Sequence, residues 1–318
     1  MIKRVFPIFL FLFFCHSQQM LAETTDDILK AKMALYKKTE AVTQVPWYYL
    51  AAINQYEKNI QKNADTEKLV FITIPEEQWF GIANPSKNTN SNIIGLFEGI
   101  GKDGNGDQQA DPTDDEDVLY SMANLIAKQG TSKQDIKIAL WDYYQRALTV
   151  QSISQIAKVY QTFETINLLD SDFPIPLHHN YSYRNTWGDA RGFGGRRIHE
   201  GTDIFANYGT PVKATRYGVV EIMGWNRFGG WRIGIRDIYS NYHYYAHLNG
   251  FSDDLKVGDV VKPGDVIASV GATGYGPPGT SGKFPPHLHY GMYKDNGYSE
   301  WSFDPYPYLR RWEKEARK

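Results

Sequence analysis

Three short stretches carry residue types that could do chemistry together. The first is GKFPPHLHYG, Gly282 to Gly291, where His287 and His289 stand one residue apart behind a Pro-Pro step. Strand side chains alternate between faces, so a His-x-His pair in extended chain aims both imidazoles the same way. A metal ligand and a catalytic neighbour can then sit side by side. The second stretch is IHEGTDIFA, with His199 and Asp203 at HxxxD spacing around Gly201, and the third is YHYYAHL, with His243 and His247. The one cysteine, Cys15, lies near the N-terminus, which leaves imidazole and carboxylate as the strong zinc donors of everything downstream. Two histidines, one aspartate and an open fourth position make a catalytic zinc site, whereas a fourth protein ligand closes it into a structural one. Taken singly, each piece has a plainer reading: His199 as a loop histidine, Asp203 as a turn former, His247 as a packed strand residue.

The elements that must position these residues lie in the second half of the chain. At 318 residues the chain has room for two domains, each with its own core. From Tyr181 onward, β-branched and aromatic runs such as Gly218 to Met223 and Trp231 to Ile238 alternate with glycine-rich turns, as strands do. Upstream the texture is helical. Helices are expected from Thr24 to about Thr43, from Pro46 through Trp47, Leu50, Ala51 and Ile53 to Glu57, and after a Thr113–Glu116 capping box. Two more follow, one opened by Ser132 and one running through Ile153, Ile156 and Tyr160. The break falls at Asp170 to Leu177, where two prolines in three residues exclude helix and suggest a linker. The expected organisation is α+β and multidomain: a helical domain over 23–169, a Pro-containing linker over 170–180, and an antiparallel all-β domain over 181–318.

Composition excludes some partners. With 34 basic and 36 acidic residues the net charge is -2, so nothing favours nucleic acid or an anionic membrane. Aromatic content of 14 % is compatible with binding an extended ligand in a groove, and equally with core packing. Residues 1–22 read as an export signal: Lys3 and Arg4, an apolar run from Val5 to Cys15, and a polar patch ending at Ala22. Met20 is larger than the small residue preferred before a cleavage site, so an uncleaved membrane anchor is the alternative to release.

HEGTDIFANYGTPVKA, then YYAHL, the VGDVVKPGDVIASVGATG run and PHLH, in that order over about 185–305, resemble the lysostaphin-like (LytM-domain) zinc metallopeptidases. The resemblance implies that His199, Asp203 and His289 bind zinc and that His287 and His247 are catalytic histidines outside the metal's ligand set. It further implies hydrolysis of a peptide bond in peptidoglycan by water that zinc activates, with the two free imidazoles handling the proton and the oxyanion. The chain departs from the family in the longer YGPPGTSGKFP loop, expected to rim the cleft, and in Gly291, where many relatives have Glu. Tyr181, Tyr183, Asn185 and Trp187 are candidates for the opposite wall or for packing against the β domain. At finer grain, VPWYYLAAINQYEKNI, GWNRFGGWRIGIRD and YHYYAHL make the chain similar to the LytH-type L-Ala-D-Glu endopeptidases of spore-forming bacilli. That likeness implies stem peptides of cell wall or spore cortex as substrate. The rival reading is a catalytically inactive scaffold that binds wall polymer or activates another hydrolase.

The first half, through VPWYYLAAINQYEK and the stretch from Lys102 to Gly130, is similar to lysozyme-like lytic transglycosylase domains. Glu57 falls at the position of their catalytic acid, but Lys58 replaces the usual serine, which favours a glycan-binding domain over a second glycan-cleaving enzyme. Asp103, Asn105, Asp107, Asp111 and Asp114 have a calcium-loop spacing with Gln108 where glycine belongs. An acidic turn capping a helix is the first reading of that loop.

Overall fold

A computed structural model of the chain describes residues 8–64, 68–84, 86–193 and 195–318, with side chains from residue 25 onward. Of the expected export segment, residues 1–7 and the remaining side chains lie outside the described part. Among the described residues no helix is long and apolar enough to cross a membrane. The chain forms two compact units, Met1–Asn54 with Asn63–Ala139 and Gln55–Lys62 with Leu140–Lys318.

The first unit is helical. It holds α1 (Ile8–Thr43), the start of α2 (Trp47–Ile60), the short α3 (Glu76–Phe80) and α4 (Ser91–Leu96), α5 (Asp115–Ala127), and the start of α6 (Lys133–Tyr144). Leu50, Ala51 and Ile53 of α2 are buried, as are Val118, Leu119, Met122 and Ile126 of α5, the three-and-four spacing of an apolar helix face. The N-cap of α5 is Asp114, whose carboxylate accepts from the amides of Glu116 and Asp117, and not Thr113 as expected. Thr113 is otherwise engaged, because its amide and its hydroxyl both donate to Asp111 Oδ1 at 2.7 Å. The loop ahead of it uses its carboxylates on backbone amides: Asp103 accepts from Gly106 and Gln108, and the buried Asp117 accepts from Gly104 and Asp111.

The second unit carries the strands. They are β1 (Tyr181–Tyr183), β2 (Ala190–Arg191), β3 (Arg197–Ile198), β4 (Thr202–Ala206), β5 (Pro211–Lys213), β6 (Gly218–Asn226), β7 (Gly230–Asp237), β8 (Asn241–Phe251), β9 (Val260–Val261), β10 (Val266–Val270), β11 (His287–Asp295) and β12 (Glu300–Phe303). The main sheet runs β1-β4-β11-β8-β7-β6-β9, with β12 beside β11, β10 joining β5 to β8, and every pairing antiparallel. Hairpin β2-β3 stands apart as a sheet of its own.

Ile204, Val220, Ile233, Tyr245, Leu288 and Tyr290 fill the core of this unit. Besides the ends of α2 and α6, the unit holds all of α7 (Ala147–Phe163) and of α8 (Tyr306–Ala316), which buries Leu309 and Trp312 and had no counterpart in the sequence reading. The stretch expected as a linker is part of this core, since Phe173 and Ile175 are fully buried and Leu177 packs beside them.

Candidate metal centre

Strand register brings the predicted residues together. In the β4–β11 pair His289 lies opposite Asp203 and His287 opposite Phe205. On its other edge β11 pairs with β8, placing His289 opposite Ala246 and Tyr290 opposite Tyr245. Leu288 and Tyr290 point into the core at 0 % exposure, so alternation sends His287 and His289 to the other face together. His199 enters from the loop that leaves β3.

His247 reaches the same face by an irregularity. Strict alternation would send it into the core with His243 and Tyr245. Instead the β7–β8 register shifts between Trp231 and Ile233, leaving an extra residue in β8, and His247 has a φ of 61°. A bulge of this kind re-aims a side chain, at a backbone cost of about 1–3 kcal/mol for a residue other than glycine. The His247 amide donates to the Gly229 carbonyl at 2.7 Å, which anchors the turn. His243 stays in the core, with Nε2 3.0 Å from Asp237 Oδ2 and Nδ1 2.6 Å from the Tyr290 hydroxyl. Of the two histidines in YHYYAHL, His247 alone lines the cleft.

Three donor atoms converge in that cleft. His199 Nε2 is 2.9 Å from His289 Nδ1 and 3.0 Å from Asp203 Oδ1, and His289 Nδ1 is 3.1 Å from the same oxygen. The His199 Nδ1–H donates to the Thr186 carbonyl at 2.7 Å, so its Nε2 faces the centre as a lone pair. Three donor atoms this close together can be satisfied by one shared cation. Zinc bonded to imidazole and carboxylate at about 2.0–2.1 Å in a tetrahedron spaces its ligands about 3.3 Å apart, so this triangle fits zinc after a few tenths of an ångström of relaxation. Among the described residues it is the one group of three or more potential ligands within reach of a common ion.

Charge follows the same logic. Burial opposes ionisation of Asp203, but the neighbouring imidazoles of His199 and His289 outweigh it and hold the carboxyl far below the usual range. Burial lowers the pKa of His289, opposed by Asp203. His247 is pushed down to about 3 by burial and then by its histidine neighbours, so it is a neutral imidazole at physiological pH. Its Nδ1–H donates to the Thr273 carbonyl at 2.7 Å, and the Nδ1–H of His287 donates to the Pro285 carbonyl at 2.8 Å. Each therefore keeps Nε2 as an acceptor. The two rings lie 4.7 Å apart, and His287 Nε2 is 3.9 Å from Asp203 Oδ1.

Around them lies a cleft of about 360 Å³. The 274–286 loop rims it as expected: Tyr275 stacks on His247 and meets Phe284 edge-on, while Arg197 donates to the Tyr275 hydroxyl. At Gly291 an added Cβ would come within 2.9 Å of the Glu200 carbonyl, so a side chain there requires the backbone to move. Tyr181 and Tyr183 do not wall the cleft; both hydroxyls donate to Glu313 of α8 at 2.6 Å, and Asn185 donates to Asp304. Two supporting residues escaped the sequence reading. Thr186 holds both ligands of the HxxxD pair, accepting from His199 through its carbonyl and from the Asp203 amide through its hydroxyl. Arg191 donates from Nη2 to Asp203 Oδ2 at 2.7 Å. Neither belongs to a recurring pattern, and only tertiary contact reveals them.

Comparison with known proteins agrees with this geometry. The profile of peptidase family M23 matches residues 197–302. An L-Ala--D-Glu endopeptidase of Bacillus subtilis (strain 168) is 57 % identical over 295 residues, covering 91 % of this chain and 90 % of that protein. Lysostaphin of Staphylococcus simulans is 36 % identical over 115 residues, which span 36 % of this chain and 22 % of lysostaphin. The crystallised catalytic domain of that lysostaphin superposes with a TM-score of 0.33 at 32 % identity, covering 42 % of this chain and 92 % of the domain. A relationship that runs nearly end to end at 57 % identity, with a profile match beginning two residues ahead of His199, makes the chain a member of peptidase family M23.

Proposed function

We propose that the protein is a zinc endopeptidase that hydrolyses the L-Ala–D-Glu bond of peptidoglycan stem peptides, with His199, Asp203 and His289 as zinc ligands and His247 and His287 as catalytic histidines. The observation that carries this reading is the arrangement of five side chains: three donors 2.9–3.1 Å apart, and two more imidazoles whose Nδ1 protons are committed to backbone carbonyls. Bound among the three donors, zinc supplies Lewis acidity, polarising the scissile carbonyl and making water a nucleophile at neutral pH. The Nε2 atoms of His287 and His247 take the proton of the attacking water and return it to the leaving amine, and in protonated form donate to the oxyanion. Both rings are held by main-chain carbonyls, so neither has to reorganise as charge develops.

The bond is taken from the Bacillus subtilis relative, whose name states it. A scaffold that only binds wall polymer has no use for a full set of ligands and two additional oriented imidazoles. The proposed site of action is outside the cytoplasm, in cell wall or spore cortex, after export through the segment 1–22 or while held by it. For the helical half we propose a lysozyme-like, glycan-binding role without a second active site. Glu57 is 7 % exposed and its carboxylate accepts from the Tyr144 hydroxyl at 2.6 Å, which withholds it from a glycan.

Mass spectrometry of purified peptidoglycan fragments after digestion, with and without a zinc chelator, tests the reading. Fragments with a new D-Glu amino terminus should form without chelator and disappear with it. Chelator-resistant cleavage, or products cut in the glycan strand, would overturn it.

A further inference from the structure

Arg191 has no part in the mechanism above and lies outside the family match, which begins at residue 197. It stands on β2, paired through Ala190–Ile198 and Arg191–Arg197 with the strand that leads directly into His199. Its Nη2 donates to Asp203 Oδ2 at 2.7 Å, while Oδ1 of the same carboxylate is the oxygen that faces His199 Nε2 and His289 Nδ1. The two oxygens of Asp203 are thereby divided, one toward the donor triangle and one to a guanidinium. Arg191 Nε is buried without a hydrogen-bond partner, so the side chain leaves one of its own donors unsatisfied in the position it takes. It also lines the cleft beside the ligands.

We infer that Arg191 is a positioning residue that keeps Asp203 a one-oxygen donor and thereby leaves a coordination position of the metal open to water and substrate. The inference rests on the reading of His199, Asp203 and His289 as the zinc ligands. A carboxylate with both oxygens free can bind a cation through both, which would occupy the place that catalysis needs. A guanidinium is suited to prevent this, because it carries a permanent charge and planar donors that match a carboxylate oxygen in direction as well as sign. Its position on the hairpin that delivers His199 ties the orientation of one ligand to the placement of another. Partners of this kind behind metal ligands commonly matter as much as the ligands.

The test uses the full-length protein loaded with cobalt(II) in place of zinc, whose visible absorption is several-fold stronger when four-coordinate than at higher coordination. In Arg191→Gln the cobalt band should weaken by about twofold or more, and kcat with zinc should fall about 10–100-fold while KM stays nearly constant. Arg191→Lys, which keeps the charge, should recover most of the band and of kcat. Arg184→Gln, which removes a 77 % exposed arginine paired with Asp189, should leave both at wild-type values. Should Arg191→Gln fail to fold, Arg191→Leu gives the same reading. A wild-type cobalt band in the folded Gln or Leu variant overturns the inference, as does a fall in kcat that Lys does not relieve. Failure of the wild-type protein to bind cobalt refutes the assignment of the ligands themselves, and this inference with it.

Discussion

Replacing Gly201 with alanine is the smallest change that should disable the metal centre without touching a ligand. Gly201 is the middle residue of HxxxD, immediately ahead of β4 and against the His289 ring. A Cβ built there would lie 2.6 Å from His289 Cε1, 2.8 Å from His289 Nε2 and 2.7 Å from the Tyr290 carbonyl oxygen, where ordinary contact begins near 3.4 Å. The carbonyl belongs to the ladder and cannot retreat, so the imidazole must give way by about 0.8 Å, close to the 1 Å misplacement that typically costs about 100-fold in rate. His289 Nδ1 moves with the ring and opens the triangle it forms with His199 and Asp203. We expect Gly201→Ala to lose about 10–100-fold in zinc affinity, the usual cost of disturbing a ligand's surroundings, and to be destabilised by about 1–3 kcal/mol from overpacking. Zinc affinity by chelator competition, turnover of a stem-peptide substrate at saturating zinc, and urea unfolding separate the three effects. Zinc affinity and turnover both within about threefold of wild type would refute the argument, because the overlap would then have been absorbed somewhere other than the ligand.

Other perturbations distinguish roles. His289→Ala should abolish stoichiometric zinc, whereas His287→Ala and His247→Ala should retain it and lose about 10²–10⁴-fold in kcat; equal zinc content in all three would remove the division between ligands and catalytic histidines. Chelation should lower the Tm of the wild-type protein, since a metal that binds only the folded state stabilises it, and should leave the Tm of His199→Ala unchanged. Glu57 carries a pH signature: burial raises its pKa from 4.5 to about 7, against the opposing hydrogen bond from Tyr144. Because the folded state holds the proton more tightly, its contribution to stability is complete below the unfolded pKa and is lost as pH rises through about 7. Glu57→Gln should therefore match wild type near pH 4.5 and exceed it by up to about 3 kcal/mol at pH 8, and a stability difference that does not change with pH in urea titrations would contradict this.

The His-x-His pair was legible because strand alternation is a local rule: two positions apart means one face, whatever the rest of the sheet does. The helical half was legible for the same reason, since Leu50, Ala51 and Ile53 repeat at helical spacing. What escaped depended on contacts between distant segments. His247 was named through the family resemblance alone, since alternation groups it with the core residues His243 and Tyr245 and only the bulge against β7 turns it outward. Phe173 and Ile175 were hidden by Pro174 and Pro176, which mark a break in helix and say nothing about burial. Helix α8 did leave a signal, with Pro305 ahead of it and Leu309 and Trp312 three apart, in a stretch otherwise dominated by charge. Thr186 and Arg191 left none, because their roles consist of hydrogen bonds to residues distant in the sequence pattern, made only in the folded chain.

The five residues of the site divide by which nitrogen each histidine leaves free. His199, His247 and His287 all give their Nδ1 proton to a main-chain carbonyl, of Thr186, Thr273 and Pro285 respectively. Such tethers do not depend on the side chain at the accepting position, so they persist through substitution there and respond instead to backbone movement. All three therefore present Nε2, the far nitrogen, to the cleft. His289 is the exception and meets Asp203 and His199 through Nδ1, the nitrogen nearer its own strand. Two histidines on one face of one strand thus differ in reach: through Nδ1, His289 holds its donor close to β11 beside Asp203, while His287 extends Nε2 farther into the cleft. Segments that set the carbonyls, the loop 271–286 and the chain around Thr186, consequently control the chemistry of side chains they do not contain. In the loop, the Thr273 hydroxyl donates to the Leu248 carbonyl and accepts from the Trp231 amide, stapling it to the bulge that aims His247. Changes in that loop should alter turnover through the orientation of His247 and His287 while leaving metal affinity, which is set by His199, Asp203 and His289 outside the loop, nearly as it was.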